Sequence, residues 1–350
     1  MATFFLVGGT GHIGGAVLDL LFKEHPLSTF KVLVRSEDKA KRLRAKYPQV
    51  QTVIGDLESY ATLEAGAEKA DIVINAAPDI THDEGIEAIL KGLTSNSRDR
   101  KGYYIHTSGA SCIYEEPEPG KEPHVWDDIA DIDELVTLSP EKTHIVTDNA
   151  VRAVSSKVNV AIISPPGAVY VMTTRAFNSG FEVNHGVNHM SEVDVVDLAR
   201  AYIILVTNAL EALEAGANVP AEPAGFPLWG DKAYYWAVGR ITPFHDRMSQ
   251  IASVLNKLGA IDSKEIKTMT QLDLVRTIVS GGKEYDPDAP LPPADSWMLH
   301  LGVGLSSHMC VRASRMERLG WKPERWTGEK EWEAIFSGYL SLQKDQEASN

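Results

Sequence analysis

Short apolar runs alternate with amphipathic stretches through the first half of the chain. "TFFLVGG" (3–9) is compact and apolar, whereas 12–25 places Ile13, Val17, Leu20 and Leu21 at helical spacing. "FKVLVR" (30–35), "VQTVIGD" (50–56), "DIVINAA" (71–77), "YYIHTSG" (103–109) and "VNVAIISPP" (158–166) repeat the strand signal, with helical stretches between them. Six such runs joined by helices predict an α/β fold, a doubly wound parallel sheet with right-handed crossovers. After residue 167 the pattern becomes mixed. A helix is expected at 195–207, a strand at 233–239 and a long helix from Thr242 or Pro243 to Leu258. The reading divides the chain into a nucleotide-binding domain at 1–166 and a smaller mixed C-terminal substrate region at 167–340, interleaved with the sheet.

Residues 113–135 interrupt the rhythm with an acidic, Pro-rich stretch that reads as a long loop or lid. The 350-residue chain has 43% hydrophobic and 23% charged residues, the balance of an ordinary globular protein. A net charge of −14 argues against nucleic acid or an anionic membrane as partner. Cys112 and Cys310 are the two cysteines, too few for a disulfide framework, and the longest later apolar run is about ten residues, short of a membrane span. A cytoplasmic setting is expected. The partner is expected to be a small-molecule substrate, with oligomeric state left open.

"LVGGTGHIGG" (6–15) carries the clearest chemistry. Gly8, Gly11 and Gly14 are spaced so that the chain turns tightly out of a strand, admits a pyrophosphate and packs a helix onto the sheet. Thr10, His12 and Ile13 complete that turn, where free N–H groups and the helix dipole face phosphate oxygens. The second strand ends in Arg35, with Lys39 one turn on, where a dinucleotide with a free ribose hydroxyl would call for a carboxylate. A guanidinium there suits a 2′-phosphate, so NADP(H) is the expected cofactor. Asp56 and Leu57 end the third strand, and Asn75, Ala76 and Ala77 the fourth, where adenine and the nicotinamide ribose would lie.

With these residues the chain resembles the short-chain dehydrogenase/reductase superfamily in its extended and atypical branches, including NmrA-like proteins. The likeness runs through "GGTGHIG", "VLVR", "GDL", "DIVINAA" and "YIHTSG", and more faintly through "ISPPGAVY", which includes Pro165, and "VDVVDLARAY". It implies an NAD(P) site and a substrate cleft over the sheet edge. The resemblance also implies a Tyr-x-x-x-Lys pair on the helix before the sixth strand, and none exists there. By register His144 stands at the Tyr position and Asp148 at the Lys position, while the family's Ser/Thr falls on Gly109 or Ala110, between Ser108 and Ser111.

Ser139 and Pro140 read as the start of that helix. On it His144 and Asp148, at i and i+4, are expected to touch, giving an imidazolium of raised pKa as general acid. Ser108, Ser111 and Tyr170 are further candidates for contacting substrate. Asp79 and His82 would contact ligand or cap the next helix, and Asp127 and Asp128 would be solvated or attract a cationic amine. Trp229, Tyr234, Tyr235 and Trp236 are expected either to help enclose a small organic molecule or to be core. His185 and His189 have ligand-like spacing without a third partner, so no metal is expected. Three functions remain open: NADPH-dependent reduction of a small substrate, such as an imine of the secondary-metabolite type; isomerisation or cyclisation with NADP as a structural piece; and cofactor sensing.

Overall fold

The computed structural model describes residues 2–80, 82–118, 120–166, 177–183, 186–216, 224–280, 297–325, 331–338 and 340. The β-runs of the first half form β1 (Thr3–Val7), β2 (Thr29–Val34), β3 (Gln51–Ile54), β4 (Ile72–Asn75) and β5 (Tyr103–Thr107). Two residues at Trp126–Asp127 make a short β6, and Asn159–Ser164 makes β7. Gly180–Val183 (β8), His189–Glu192 (β9) and Tyr234–Trp236 (β10) follow. The main sheet has seven strands in the order β10-β7-β5-β4-β1-β2-β3, every pair parallel. Parallel strands need crossovers, supplied in the first half by α1 (His12–Glu24), α2 (Glu37–Lys46), α3 (Tyr60–Glu68) and α4 (Asp83–Leu93). β4, β5 and the inner part of β1 are buried throughout, as strands covered on both faces must be.

The chain winds from β1 outward to β3, then returns to place β4 on the other side of β1. Between the carboxyl ends of β1 and β4 a crevice is therefore unavoidable, and ligands of such sheets bind there.

The seventh strand corrects one expectation. Tyr234, Tyr235 and Trp236 lie buried in β10, paired to β7, so this aromatic run is sheet core rather than a cleft wall. The stretch 113–135 is also more than a lid. Its β6 pairs with Val311–Arg312, and Ile132–Leu135 forms a short helix, α5. Asp128, far from solvated, is fully buried, and its carboxylate accepts the backbone N–H groups of Trp236 (2.9 Å) and Arg315 (2.8 Å). Burial pushes its pKa up to about 8 despite those bonds, so it serves as a neutral-leaning tether at ordinary pH.

The helix before β7 starts later than the sequence suggests. Residues 139–144 form turns, and α6 spans Ile145–Ala153 with His144 as its N-cap. Val195–Ala215 (α7) packs against α1, and its Asp194 caps it through the N–H groups of Val196 and Asp197. Phe244–Lys257 forms the long helix expected in the second half. Among the described residues no helix is long and apolar enough to cross a membrane.

Candidate active site

Two features meet at the carboxyl end of the sheet: a glycine turn after β1, and a buried cluster of carboxylates and imidazoles after β4 and β5.

The glycine turn is shaped by contact. Gly8 has φ +80°, and a Cβ there would lie 2.6 Å from the backbone of Ala76 across the crevice. A Cβ on Gly14 would lie 2.2 Å from the Gly8 carbonyl oxygen, so α1 is drawn tight against the turn. Gly11 is the N-cap of α1 and contributes no side-chain cap, which leaves the N–H groups of the first turn facing the crevice mouth. Thr10, Gly11 and His12 are exposed there, with Ile13 half-buried. The uncapped N–H groups of this turn suit the charge of a pyrophosphate.

The other residues expected to contact the cofactor lie as follows. Arg35 is exposed at the end of β2. Lys39, on the first turn of α2, lines a cavity of about 340 Å³ together with Gly9, Thr10, Gly15 and Arg42. Asn75 is buried, its side-chain oxygen accepting from the Ala77 N–H (3.2 Å), while Ala76 donates to Val7. Asp56 is exposed after β3, its carboxylate held low by the Ser59 hydroxyl, and half-buried Leu57 follows it. Pro165, buried after β7, accepts from the Ala110 N–H.

His144 is the centre of the second feature. Its backbone takes the left-handed conformation, φ 71°, which turns the ring away from the helix it caps. That is why His144 and Asp148 do not meet as i and i+4 neighbours on one face. Instead Nδ1 lies 2.8 Å from both oxygens of Asp79, and Nε2 lies 2.9 Å from Ser111 Oγ. Nδ1 facing a carboxylate must carry a proton, so Nε2 is the atom left to exchange one. Thr147 Oγ1 donates to the same carboxylate (2.9 Å). Gly109 leaves room for the ring, since a Cβ there would lie 2.5 Å from His144 Nε2.

Asp148 turns the other way. Its Oδ2 accepts from Ser108 Oγ (2.9 Å) and Tyr234 OH (3.2 Å), and its Oδ1 lies 3.6 Å from His106 Nε2. That same nitrogen is 3.7 Å from Asp79 Oδ2. Two carboxylates and two imidazoles thus occupy one buried volume. Burial raises the pKa of Asp79, but the charge and hydrogen bond of His144, with His106 beside them, outweigh it and hold the carboxyl well below the usual range. Burial lowers that of His144, and Asp79 more than restores it, for a net rise. Asp148 is pushed up to about 6, burial exceeding the help of His106 and His144.

Residues 4–94 match the family model for the saccharopine dehydrogenase NADP-binding domain. The glycine turn lies within the matched residues, in a unit of Rossmann-like fold. The chain is 28% identical over 260 residues to the oxidase UcsJ of an Acremonium species, covering 67% of this chain and 73% of that one. Among solved structures it resembles dTDP-glucose 4,6-dehydratase from Bacillus anthracis in complex with NAD, with TM-score 0.61, 13% identity and 98% of each chain covered. UDP-glucose 4-epimerase from Thermotoga maritima with UDP-glucose is similar at TM-score 0.61 and 15% identity, over 97% of this chain and 99% of that one. These likenesses are of fold, and they agree with the short-chain dehydrogenase/reductase resemblance read from the sequence.

In this Rossmann unit the sequence located the glycine turn, His144, Asp148, Ser108 and Ser111, and the structure brings the last four together. It paired them differently, and it missed His106 and left Asp79 as a contact or a cap. His82 is the N-cap of α4 without a side-chain cap bond. Cys112 and Cys310 are buried and burial raises both thiols to about 12, which leaves them inert at neutral pH. Tyr170 and His185 lie outside the described residues.

Proposed function

We propose that the protein is an NADP(H)-dependent oxidoreductase acting on a small organic carbonyl or imine, with His144 in place of the tyrosine acid that the short-chain dehydrogenase/reductase resemblance implies. The observation that carries this reading is the imidazole held between Asp79 and Ser111 at the same sheet edge as the glycine turn. The name of the Acremonium relative, an oxidase, supports redox chemistry over isomerisation.

Gly8, Gly11, Gly14 and the first turn of α1 would hold the pyrophosphate, and Arg35 with Lys39 would face a 2′-phosphate, which favours NADP(H) over NAD(H). The bound dinucleotide supplies hydride exchange with a substrate carbon. Ser111 Oγ donates to the substrate oxygen or nitrogen and keeps it within reach of His144. His144 Nε2 gives that atom a proton during reduction and takes it back in the reverse direction. Asp79 fixes the ring and keeps it cationic until the transfer. Buried Asp148 holds Ser108 beside this pocket.

The test is NADPH consumption with small ketones and cyclic iminium compounds, in wild type and His144→Gln. The reading expects turnover to fall on the order of 10²–10⁴-fold in the variant with NADPH binding retained. Equal turnover in the two proteins would remove His144 from the chemistry.

A further inference from the structure

His106 Nε2 and Asp148 Oδ1 are both buried, and neither has a hydrogen-bond partner among the described residues. The two atoms lie 3.6 Å apart, and the same nitrogen lies 3.7 Å from Asp79 Oδ2. Those separations are too long for hydrogen bonds. They are close to the spacing of two ligand atoms on one small cation. Metal bonds of about 2.0–2.2 Å to nitrogen or carboxylate oxygen, set at a tetrahedral angle, place neighbouring ligand atoms roughly 3.3–3.6 Å apart. One nitrogen of His106 and one oxygen each of Asp79 and Asp148 all fall within 4.8 Å of one another, the one such convergence among the described residues. We propose that Asp79, His106 and Asp148 form a buried binding site for a divalent first-row metal ion of the zinc type, beside His144.

An imidazole nitrogen and a carboxylate oxygen left without partners in a dry interior are each costly. A cation removes both costs at once, because each atom gives it a lone pair. The contacts around the three side chains are those that hold metal ligands in place. A metal-bound histidine turns its second ring nitrogen to a hydrogen-bond partner, and ligating carboxylates are themselves hydrogen-bonded. His106 Nδ1 meets Tyr104 OH at 3.2 Å. Asp148 Oδ2 accepts from Ser108 Oγ (2.9 Å) and Tyr234 OH (3.2 Å), which leaves Oδ1 for an ion. Asp79 is oriented by His144 Nδ1 and Thr147 Oγ1.

Charge agrees with geometry. Two ionised carboxylates and a neutral imidazole balance a divalent ion, which a buried site demands. In the metal-free protein burial pushes Asp148 up to about 6, and an arriving ion sends that proton to solvent as the metal–oxygen bond forms. One imidazole with two carboxylates suits zinc and its first-row neighbours, whereas soft copper(I) would call for sulfur. Asp79 follows β4, His106 lies in β5 and Asp148 in α6. The ion would therefore pin together the three elements that position His144. This site stands whether or not His144 is the proton donor of the proposed reaction.

The test uses the full-length protein, treated with a chelator and then titrated with Zn²⁺. Calorimetry is expected to show one zinc ion per chain, and the zinc-loaded protein should melt at higher temperature. His106→Gln and Asp148→Asn each remove one ligand and should weaken that binding by at least about 10-fold. His245→Gln is the control, since the exposed His245–Glu182 pair is a candidate for zinc held at the surface; it should leave the affinity unchanged. A second measurement locates the ion in wild type and needs no variant to fold. Paramagnetic Co²⁺, added in zinc's place, should shift and broaden the ring NMR signals of His106 and His144 before those of any other histidine. Wild-type protein without stoichiometric zinc binding would overturn the proposal. So would cobalt effects that begin at other histidines, or zinc affinity that survives in folded His106→Gln and Asp148→Asn.

Discussion

His144 Nδ1 lies 2.8 Å from both oxygens of Asp79, a residue 65 positions earlier in the chain, and that contact decides how α6 begins. The imidazole reaches Asp79 because the His144 backbone is left-handed, and a left-handed residue ends any helix that would otherwise start at Ser139. The strain of one residue is thus exchanged for a buried, charge-assisted pair beside the cofactor crevice.

Asp79→Asn should weaken this arrangement without disturbing the glycine turn. The asparagine keeps an acceptor for Nδ1 but not the charge that raises the His144 pKa. Turnover at neutral pH should fall on the order of 10²-fold, less so at lower pH where His144 is protonated anyway, while NADPH affinity stays unchanged. A pH–rate profile of the variant with the wild-type midpoint would refute the assignment.

Asp148 makes a separate prediction about stability. Its folded pKa is raised from 3.8 to about 6, so the fold favours the protonated acid. The stability this contributes is complete below the unfolded value and is lost as pH rises through about 6. Asp148→Asn carries no such ionisation. The melting temperature of the variant relative to wild type should therefore climb between about pH 4 and pH 6 and level off above that. A difference that stays flat across that range would show that Asp148 titrates normally.

Much of this architecture is legible in the sequence because it is local. Strand runs, the glycine turn and Arg35 at the end of β2 follow from spacing alone. What could not be read depends on residues far apart in sequence. Ser139-Pro140 is a sound local start signal, and it loses to a tertiary bond that spacing cannot reveal. Tyr234 to Trp236 read as pocket wall before core, and only pairing with β7 separates the two. Asp128 carries a charge that normally signals solvent, and two backbone donors from distant segments override that signal. His106 hid inside a strand run. A lone histidine among the apolar residues of "YYIHT" was the available sign that something polar had to meet it.

Gly109→Ala tests the placement of the imidazole. The added Cβ would fall 2.5 Å from Nε2, and the ring is the softer of the two partners. A displacement near 1 Å should lower turnover by about 10²-fold, with little change in melting temperature or cofactor affinity. Wild-type turnover in a folded Gly109→Ala protein would mean that Nε2 takes no part.

Arg35→Glu bears on the nucleotide. Loss of a charge-assisted bond to a 2′-phosphate, with a like charge set in its place, should weaken NADPH binding by roughly 10- to 100-fold and leave NADH little affected. Titration by quenching of tryptophan fluorescence reads both. Equal losses would place Arg35 away from the 2′-phosphate.

The most direct measurement is the titration of the His144 ring by NMR in the presence of saturating NADP⁺ and, separately, NADPH. The oxidised nicotinamide carries a positive charge that the reduced ring lacks, and that charge disfavours an imidazolium nearby. If His144 stands beside the reacting end of the dinucleotide, its titration should lie at lower pH with NADP⁺ than with NADPH, by about half a unit or more. Identical titrations, with both nucleotides shown to be bound, would contradict the account and separate the acid cluster from the cofactor.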